Sequence, residues 1–262
     1  MPDWHKEFYS LPEIYEIAFS YRDVSRECDF LAGVYHIATG REPASVLELA
    51  CGPGEHVREF RRRGLRVAAL DLSPEMIAHL RTRLGEEPAE LLVADMAEFS
   101  LSRPVDLAFT LIDSLSYLTS NAQLVSHLQC VRRALNPGGV YVVELRHPRD
   151  VWFPGPVRST INVWTIERDG VRVTTEWGAA VEHDPIAQIE RVLTRITVER
   201  GASERVIESW GILRPLLPQE FLALTALAGG FRFAGWWGDF DLSRPLGGSD
   251  RDWRMIIALQ GS

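Results

Sequence analysis

Cysteine is scarce in this chain. Its 262 residues include three, Cys28, Cys51 and Cys130, which are far apart and odd in number. None belongs to a Cys-x-x-Cys pair, so the spacing predicts neither a disulfide framework nor a zinc site. Unpaired cysteines favour a reducing compartment, and the cytoplasm is the simplest one.

Long apolar runs and basic runs are also missing. No segment approaches about 18 consecutive apolar residues, and no charged start precedes a short apolar stretch, so we expect neither a membrane span nor a signal peptide. The formal net charge is −8, and the one short basic run is Arg61–Arg63. Nucleic-acid-binding proteins usually present a basic face, so we do not expect DNA or RNA as a partner. The histidines lack His-x-His or His-x-x-x-His spacing, and we expect no metal.

The most informative segment is an apolar run that ends in a glycine-rich turn. Residues 46–54 read Val-Leu-Glu-Leu-Ala-Cys-Gly-Pro-Gly, and helix-like sequence begins at Glu55. This order predicts a strand, a tight turn and a helix. Gly52 and Gly54 remove Cβ atoms that would block close approach, so backbone N–H groups and the helix N-terminus can face a nucleotide-like cofactor. Alone the signal is weak, because similar turns also serve only to pack a helix on a sheet.

A second apolar run supports the cofactor interpretation. Residues 66–70 lead directly into Asp71, which lies about 20 residues after the turn. At this spacing an acid meets the ribose hydroxyls in dinucleotide-binding folds. A ribose is therefore indicated. The turn lacks a full Gly-x-Gly-x-x-Gly pattern, with Ala50 where the first glycine would be, so a pyrophosphate is not indicated.

Two further apolar runs also end on polar residues. Residues 91–94 lead into Asp95, and residues 105–112 lead into Asp113 and Ser114. Open parallel sheets bind ligands at the carboxyl ends of their strands. We therefore expect these strand ends to converge in space, which packing alone explains poorly.

Four motifs follow one another along this region. They are Leu-Glu-Leu-Ala-Cys-Gly-Pro-Gly at 47–54, Leu-Asp-Leu-Ser-Pro-Glu-Met at 70–76, Val-Ala-Asp-Met at 93–96, and Ala-Leu-Asn-Pro-Gly-Gly-Val-Tyr-Val-Val-Glu at 134–144. Together they resemble the cofactor loop, ribose-binding tip, adenine contact and fifth strand of the class I S-adenosylmethionine-dependent methyltransferases. The resemblance covers roughly residues 45–147 and implies S-adenosyl-L-methionine as cofactor. It also implies an α/β fold with a doubly wound, Rossmann-like, seven-stranded sheet.

The resemblance assigns cofactor contacts position by position. Glu48 would orient the amino group of the methionine portion, Asp71 would hold the ribose hydroxyls, and Asp95 would accept from the adenine amino group. The remaining implied cofactor contacts are Ala50, Gly52, Gly54, Leu72, Met76, Met96 and Thr110. Read from the residues alone, Asp71 and Asp95 could instead be helix caps or loop carboxylates.

The leading segment supplies candidates by region rather than by motif. Related small-molecule methyltransferases place an aromatic residue near the sulfonium and an arginine on the cofactor carboxylate. That likeness implies Tyr21 and Arg22 as cofactor contacts, with Tyr21 also a catalytic candidate. A core tyrosine and a surface arginine are the alternatives.

Candidates for the acceptor site follow strands four and five. His147 stands directly after the fifth strand, where its imidazole could take a proton from an acceptor and contact it. The alternative is a structural histidine bonded to the backbone. Asp113, Ser114 and Tyr117 follow the fourth strand, where the acceptor commonly sits in the family resembled, although Ser114 could cap the next helix instead.

The sequence predicts four units. Residues 1–44 form an N-terminal helical lid, 45–149 the cofactor-binding core, 150–215 an antiparallel β insert after strand five, and 216–262 the C-terminal part of the core sheet.

The insert has two possible uses that can coexist. It could cap the substrate site, as in the glycine and amino-sugar N-methyltransferases that it resembles, or it could form the surface of a homodimer. Trp177 and Trp210 could line an apolar pocket there, although alternating aromatic residues on strands more often pack against their neighbours.

We therefore expect methyl transfer to a nitrogen or oxygen of a small molecule by in-line displacement. Positioning supplies most of the rate, a hydroxyl acceptor needs a general base, and an amine need only arrive unprotonated. Two alternatives remain. One is a cofactor-retaining protein that catalyses a pericyclic-type reaction, and the other is a protein or nucleic-acid methyltransferase.

Overall fold

The computed structural model describes residues 6–85, 88–152, 162–248 and 252–262. The helices are α1 (Lys6–Tyr9), α2 (Pro12–Phe19), α3 (Val24–Thr39), α4 (Glu55–Arg62), α5 (Pro74–Leu84), α6 (Asn121–Ala134), α7 (Pro148–Trp152) and α8 (Pro218–Ala228). The strands are β1 (Ser45–Leu49), β2 (Arg66–Asp71), β3 (Glu90–Val93), β4 (Val105–Thr110), β5 (Leu135–Arg146), β6 (Asn162–Arg168), β7 (Val171–Asp184), β8 (Ile189–Arg200), β9 (Ser203–Leu213), β10 (Phe231–Trp237) and β11 (Arg254–Gly261).

Seven strands form one twisted sheet in the order β10-β11-β5-β4-β1-β2-β3. The predicted doubly wound, Rossmann-like sheet is confirmed, with one correction to its parallel character. β11 runs antiparallel to both β10 and β5, so the sheet is mixed. β10 and β11 follow one another in the chain and lie side by side, whereas parallel neighbours need a crossover connection that is usually a helix.

The centre of the sheet is covered on both faces. β1 is buried along its whole length. Leu47 and Leu49 pack in the cluster that includes residues of α6 and α8, while Val46 packs in the cluster of α3 and α4. Because side chains alternate along a strand, Glu48 lies on the same side as Val46. A carboxylate is thereby placed inside the core, beneath α3 and α4, where it needs polar partners.

A second, antiparallel sheet has the strand order β6-β7-β8-β9 and confirms the predicted insert. One face of it packs on the two leading helices, and Val173 and Ile196 share a buried cluster with Phe8. Trp164 Nε1 also donates a 2.6 Å hydrogen bond to the backbone oxygen of Ala18. The leading helices are thus held between the insert and the core sheet. Across the described ranges, no helix has the length and apolar character needed to cross a membrane.

Candidate active site

The turn after β1 is built from left-handed backbone. Ala50, Gly52 and Gly54 have φ angles of 54°, 54° and 79°. A Cβ atom on Gly54 would lie 2.5 Å from the side chain of Leu80, and side chains rarely adopt this φ, so both the contact with α5 and the backbone favour glycine at this position. Ala50 adopts the same backbone region without that freedom, which marks the turn as strained.

Asp71, at the end of β2, is fixed by the same turn. Its Oδ2 accepts a 2.8 Å hydrogen bond from the Gly52 N–H, and its Oδ1 accepts one of 2.8 Å from the Ser73 N–H. Burial raises the pKa of the Asp71 carboxyl, although these N–H donors act in the opposite direction. Each carboxylate oxygen keeps acceptor capacity, so two neighbouring hydroxyl groups could bind to it.

A cavity of about 420 Å³, which we call the rim cavity, opens at the carboxyl ends of β1, β2 and β4. Its lining combines strand-end residues of the core with aromatic residues of the leading helices and the insert. The lining includes Tyr9, Tyr15, Ala50, Gly52, Asp71, Leu72, Asp95, Met96, Ile112, Ser114, Tyr117 and Trp177. The structure therefore brings together polar residues that are widely spread in the sequence.

One end of the rim cavity is formed by Asp95 and Met96. Asp95 Oδ1 accepts a 2.8 Å hydrogen bond from the Ala97 N–H, which orients the carboxylate. The Met96 carbonyl lies 2.8 Å from Nδ1 of the buried His127, whose Nε2 lies 2.7 Å from the hydroxyl of Tyr141. Burial lowers the pKa of His127 to about 4, so this imidazole is neutral and supports the loop as a structural hydrogen-bond partner.

Another part of the rim cavity, which we call its aromatic end, is lined by Tyr9, Tyr117 and Trp177. The hydroxyl groups of Tyr9 and Tyr117 lie 2.8 Å apart and join α1 to the turn after β4. Trp177 of β7 lines the same end. Burial raises the pKa of Tyr117 to about 12, so its hydroxyl stays protonated at neutral pH. This end can hold a partly apolar molecule and orient its polar groups.

A second cavity of about 250 Å³, which we call the loop cavity, adjoins the first. Ala50 and Ile112 line both cavities, and Arg22, Glu48 and His56 line the loop cavity alone. Its charged residues contrast with the aromatic residues of the rim cavity. One elongated molecule with an apolar nucleoside end and a charged end could occupy both.

Ion pairs surround the loop cavity. Arg22 donates a 2.8 Å hydrogen bond to Glu27 and one of 2.9 Å to Glu144, and Arg254 Nε lies 3.0 Å from the second oxygen of Glu144. Burial alone would raise the pKa of Glu144, but the charges of Arg22 and Arg254 lower this pKa to about 2. Glu144 also accepts a 2.9 Å hydrogen bond from the N–H of Ile112. The end of β4 is thereby tied to β5 and to the leading segment.

Comparisons with known proteins agree with the fold described above. Residues 46–139 match a family model described as a methyltransferase domain. Over its whole length the chain is similar to the crystal structure of an S-adenosylmethionine-dependent methyltransferase from Clostridium acetobutylicum, with a TM-score of 0.77, 16% identity, and coverage of 97% of this chain and 99% of that one. At this identity the likeness shows the fold.

The chain therefore carries a methyltransferase domain and has the fold of the class I S-adenosylmethionine-dependent methyltransferases.

Two curated relatives of this chain are named for amino-sugar chemistry. It is 30% identical over 60% of its length to dTDP-3-amino-3,4,6-trideoxy-alpha-D-glucopyranose N,N-dimethyltransferase from Streptomyces venezuelae, with 65% of that protein covered. It is 28% identical over 72% of its length to dTDP-4-amino-2,3,4,6-tetradeoxy-D-glucose N,N-dimethyltransferase from Saccharopolyspora spinosa, with 72% covered. The chain thus matches about two thirds of the length of these relatives.

The residues at the rim fit S-adenosylmethionine, the cofactor of this class. The oriented oxygens of Asp71 suit a ribose diol, while Leu72 and Met96 give an apolar wall for a flat base, with the Asp95 carboxylate at its edge. Glu48 and Arg22 offer opposite charges to an amino acid end in the loop cavity.

Several residues predicted from the methyltransferase resemblance lie elsewhere. Thr110 is fully buried, and its hydroxyl lies 2.8 Å from that of Tyr141. Met76 is fully buried in the first turn of α5. Tyr21 is about half exposed and packs beside Trp164. None of the three lines either cavity, because each faces a neighbouring element instead.

Three predicted acceptor-site residues are also engaged outside the two cavities. His147 Nε2 lies 3.1 Å from the carbonyl of Gly247, and its Nδ1 accepts from the Arg149 N–H, so no ring nitrogen is free to take a proton. Asp113 is held by Arg146 at 2.9 Å. Trp210 lies under the guanidinium of Arg191, 4.4 Å from it.

Ser114, Tyr117 and Trp177 do line the rim cavity, while Tyr9 and Tyr15 line it without having been predicted. The two tyrosines lie in the leading segment, where the prediction named Tyr21 as the aromatic contact. Tyr15 is four residues before Phe19 and stacks on it at 4.4 Å, so a helical aromatic pair was the available signal.

Proposed function

We propose that this methyltransferase transfers a methyl group from S-adenosylmethionine to the amino nitrogen of a small molecule, and that the acceptor is an amino sugar. The observation that carries the proposal is the rim cavity, which the oriented Asp71 carboxylate and the Tyr9–Tyr117 pair both line. The relatives named above as amino-sugar N,N-dimethyltransferases support the choice of acceptor.

We assign the cofactor contacts along the two cavities. Asp71 holds the ribose hydroxyls, Leu72 and Met96 flank the adenine, and Asp95 accepts from its amino group. The Gly52 N–H orients Asp71. Because Gly52 has no Cβ, it leaves room beside Tyr15.

The charged end of the cofactor lies in the loop cavity in this proposal. Glu48 accepts from the amino group. Arg22 faces the carboxylate through Nη1, whose contact to Glu144 is a long one of 3.5 Å. Tyr15 and Ile112 line both cavities and thus flank the position of the sulfur.

Bound S-adenosylmethionine supplies an electrophilic methyl group on a sulfonium with a neutral thioether as leaving group. The protein supplies position, which can contribute up to roughly 7–11 kcal/mol. Tyr117 remains protonated at neutral pH and therefore donates a hydrogen bond to the acceptor rather than removing its proton. That property favours an amine, which brings its own lone pair, over a hydroxyl, which needs a base.

The leading helices and the insert serve as the roof of the acceptor site. Tyr9 from α1 and Trp177 from β7 line the aromatic end of the rim cavity. Closing this end keeps water away from the reacting nitrogen and favours its unprotonated form. Residues 1–44 and 150–215 thus act as lid and cap, whether or not the cap also joins two copies in a homodimer.

A cytoplasmic location is part of the proposal. Cys28, Cys51 and Cys130 are all free and buried thiols, as expected in a reducing compartment. The donor and the activated sugar would both be drawn from the same compartment.

The proposal is tested by incubating the protein with S-adenosylmethionine and a panel of nucleotide-linked sugars. The panel pairs each amino sugar with the matching sugar that carries a hydroxyl at the same carbon. We expect N-methylated sugar from the amines only, with one S-adenosylhomocysteine formed for each methyl group transferred. Bound donor that no amine consumes, or methylation of the hydroxyl partners, would contradict the proposal.

A further inference from the structure

His56 lies between two carboxylates at the charged end of the loop cavity. It occupies the first turn of α4, directly after the cofactor loop. Its Nε2 is 2.7 Å from Glu27 of α3, and its Nδ1 is 3.2 Å from Glu48 of β1. Both ring nitrogens can donate only when the imidazole is protonated, because the neutral ring has one N–H. The geometry therefore calls for an imidazolium.

The charges around His56 lead to the same protonation state. The connected charged groups are the buried Glu27, Glu48 and Glu144 against the buried Arg22 and the partly exposed Arg254, which is three negative charges against two positive ones. A proton on His56 makes the cluster neutral. Burying an uncompensated charge is expensive, so the neutral cluster is the favoured one.

Residues of α3, β1 and β4 lie against His56, and the Cys28 thiol of α3 lies 4.0 Å from its backbone oxygen. α3 contributes Glu27, β1 contributes Glu48, β4 contributes the ring of Phe109 at 6.1 Å, and Arg22 lies behind Glu27. Burial would lower the pKa of His56, but the charges and hydrogen bonds of Glu48 and Glu27 raise it to about 9. The imidazolium then persists through the neutral range.

Glu48 is thereby held from two sides. One oxygen faces His56, and the other accepts a 3.2 Å hydrogen bond from the Val57 N–H. This arrangement fixes the orientation of the carboxylate at the wall of the loop cavity. A cofactor amino group would meet a charge whose position is set in advance.

We propose that His56 is a positioning residue for the methionine end of the cofactor: as an imidazolium it orients Glu48 and clamps the cofactor loop to α3. This inference rests on the proposed function. It assigns His56 no contact with the methyl acceptor and no role in the chemical step. Its effect belongs to ligands that carry the amino acid end.

Two nucleosides separate this role from a merely structural one. S-adenosylhomocysteine has the amino acid end, and 5′-methylthioadenosine lacks it while keeping adenine and ribose. We expect His56→Gln to weaken S-adenosylhomocysteine binding roughly tenfold, the scale of a hydrogen bond to a charged group. Binding of 5′-methylthioadenosine should change less than about twofold. His36→Gln, at an exposed position of α3, is the matched control and should change neither affinity.

The outcomes are distinct. Equal losses for both nucleosides, or no loss for either, would overturn the positioning role while leaving the proposed function in place. If the wild-type protein binds neither nucleoside, the proposed function fails and this inference fails with it. Retained 5′-methylthioadenosine binding also shows that the variant is folded.

A measurement on the unsubstituted ring complements the affinities. Nitrogen-detected NMR of His56 should show both ring nitrogens protonated at pH 7 and a midpoint near 9. Glu27→Gln should lower that midpoint. As the pH rises above the midpoint, the wild-type protein and His56→Gln should bind S-adenosylhomocysteine with increasingly equal affinity. A neutral His56 ring at pH 7 would contradict the inference.

Discussion

At the scale of single residues, Ala50 occupies a backbone conformation that favours glycine. Its φ of 54° places an alanine in the left-handed region, at a cost of about 1–2 kcal/mol. The turn tolerates this because Ala50 lies between buried β1 and a rigid loop in which the Cys51 N–H donates to the carbonyl of Leu70. Alanine at this position, where glycine is usual, thus strains the backbone locally.

Ala50→Gly should therefore stabilise the protein. The strain relieved in the folded state exceeds the entropy gained by the unfolded chain, and we expect the free energy of unfolding to rise by up to about 1 kcal/mol. Ala32→Gly, inside α3 where helical backbone suits alanine, should lower it by about 1 kcal/mol. Urea denaturation of both variants checks the opposite signs. A loss of stability in Ala50→Gly would show that the turn is unstrained.

Asp71→Ala should weaken the binding of S-adenosylhomocysteine strongly. The substitution removes the acceptor for the ribose hydroxyls and leaves the N–H groups of Gly52 and Ser73 without their carboxylate. We expect a loss of about tenfold or more, measured by calorimetry. Asp29→Ala, which changes an exposed carboxylate on α3, is the control and should leave the affinity unchanged. Unaltered binding by Asp71→Ala would remove the ribose assignment.

Which residues reach the cavities was only partly predictable. Asp71 and Asp95 each end an apolar run, so their place at the edge of a parallel sheet follows from the chain pattern. His147 also follows a strand, but its ring turns toward Gly247, a residue about 100 positions away in sequence. Tyr9 reaches the cavity because α1 packs between the insert and the core. Such tertiary contacts leave no mark in the local sequence.

At the scale of elements, polar contacts fasten the leading helices to the core. The Ser73 hydroxyl lies 2.8 Å from the backbone oxygen of Tyr9 and also accepts from the Met76 N–H as the N-cap of α5. One side chain therefore begins a helix of the core and contacts α1 beside the rim cavity. Trp164 and Ala18 make a second attachment from the insert side.

Ser73→Ala and Ser120→Ala form a matched pair that isolates this attachment. Ser120 is the N-cap of α6 and bonds within its own capping box. Each substitution should cost about 1 kcal/mol of stability through the lost cap. Only Ser73→Ala should also weaken S-adenosylhomocysteine binding, by a few-fold, because it frees α1 at Tyr9. Equal affinities in the two variants would mean that α1 does not depend on Ser73.

The elements themselves were largely predictable. β1, β2, β4 and their helices follow from apolar runs separated by helical periodicity, because both faces of a parallel sheet are covered and its strands read as continuous apolar segments. The direction of β11 was not predictable from its own composition. The buried apolar segment Met-Ile-Ile-Ala-Leu would fit a parallel or an antiparallel strand equally well. Its direction is set by its neighbours β5 and β10.

At the scale of the whole molecule, two buried histidines with opposite pKa shifts shape the stability. His127 has its pKa lowered to about 4 by burial, so the unfolded state binds the extra proton as the pH falls below about 6.5. His56 has its pKa raised to about 9 by its glutamates, so its contribution is complete below about 6.5 and is lost as the pH rises through 9. Stability should therefore peak near pH 6.5.

Urea denaturation between pH 4 and pH 9.5 tests this profile. We expect a loss of roughly 3 kcal/mol toward each end from these two groups. His56→Gln should flatten the alkaline side alone, and His127→Gln the acidic side alone. Stability that rises or falls steadily across the whole range would contradict the assigned protonation states.

The central claim is that the carboxyl edge of the seven-stranded sheet forms a single pocket for the methyl donor. The most direct measurement is a crystal structure of the protein grown with S-adenosylhomocysteine. We predict ribose hydroxyls within hydrogen-bonding distance of Asp71, adenine beside Met96, and the amino acid end next to Glu48, with the sulfur facing Tyr117. A nucleoside bound at any other surface, or an edge that stays empty at saturating ligand, would contradict it.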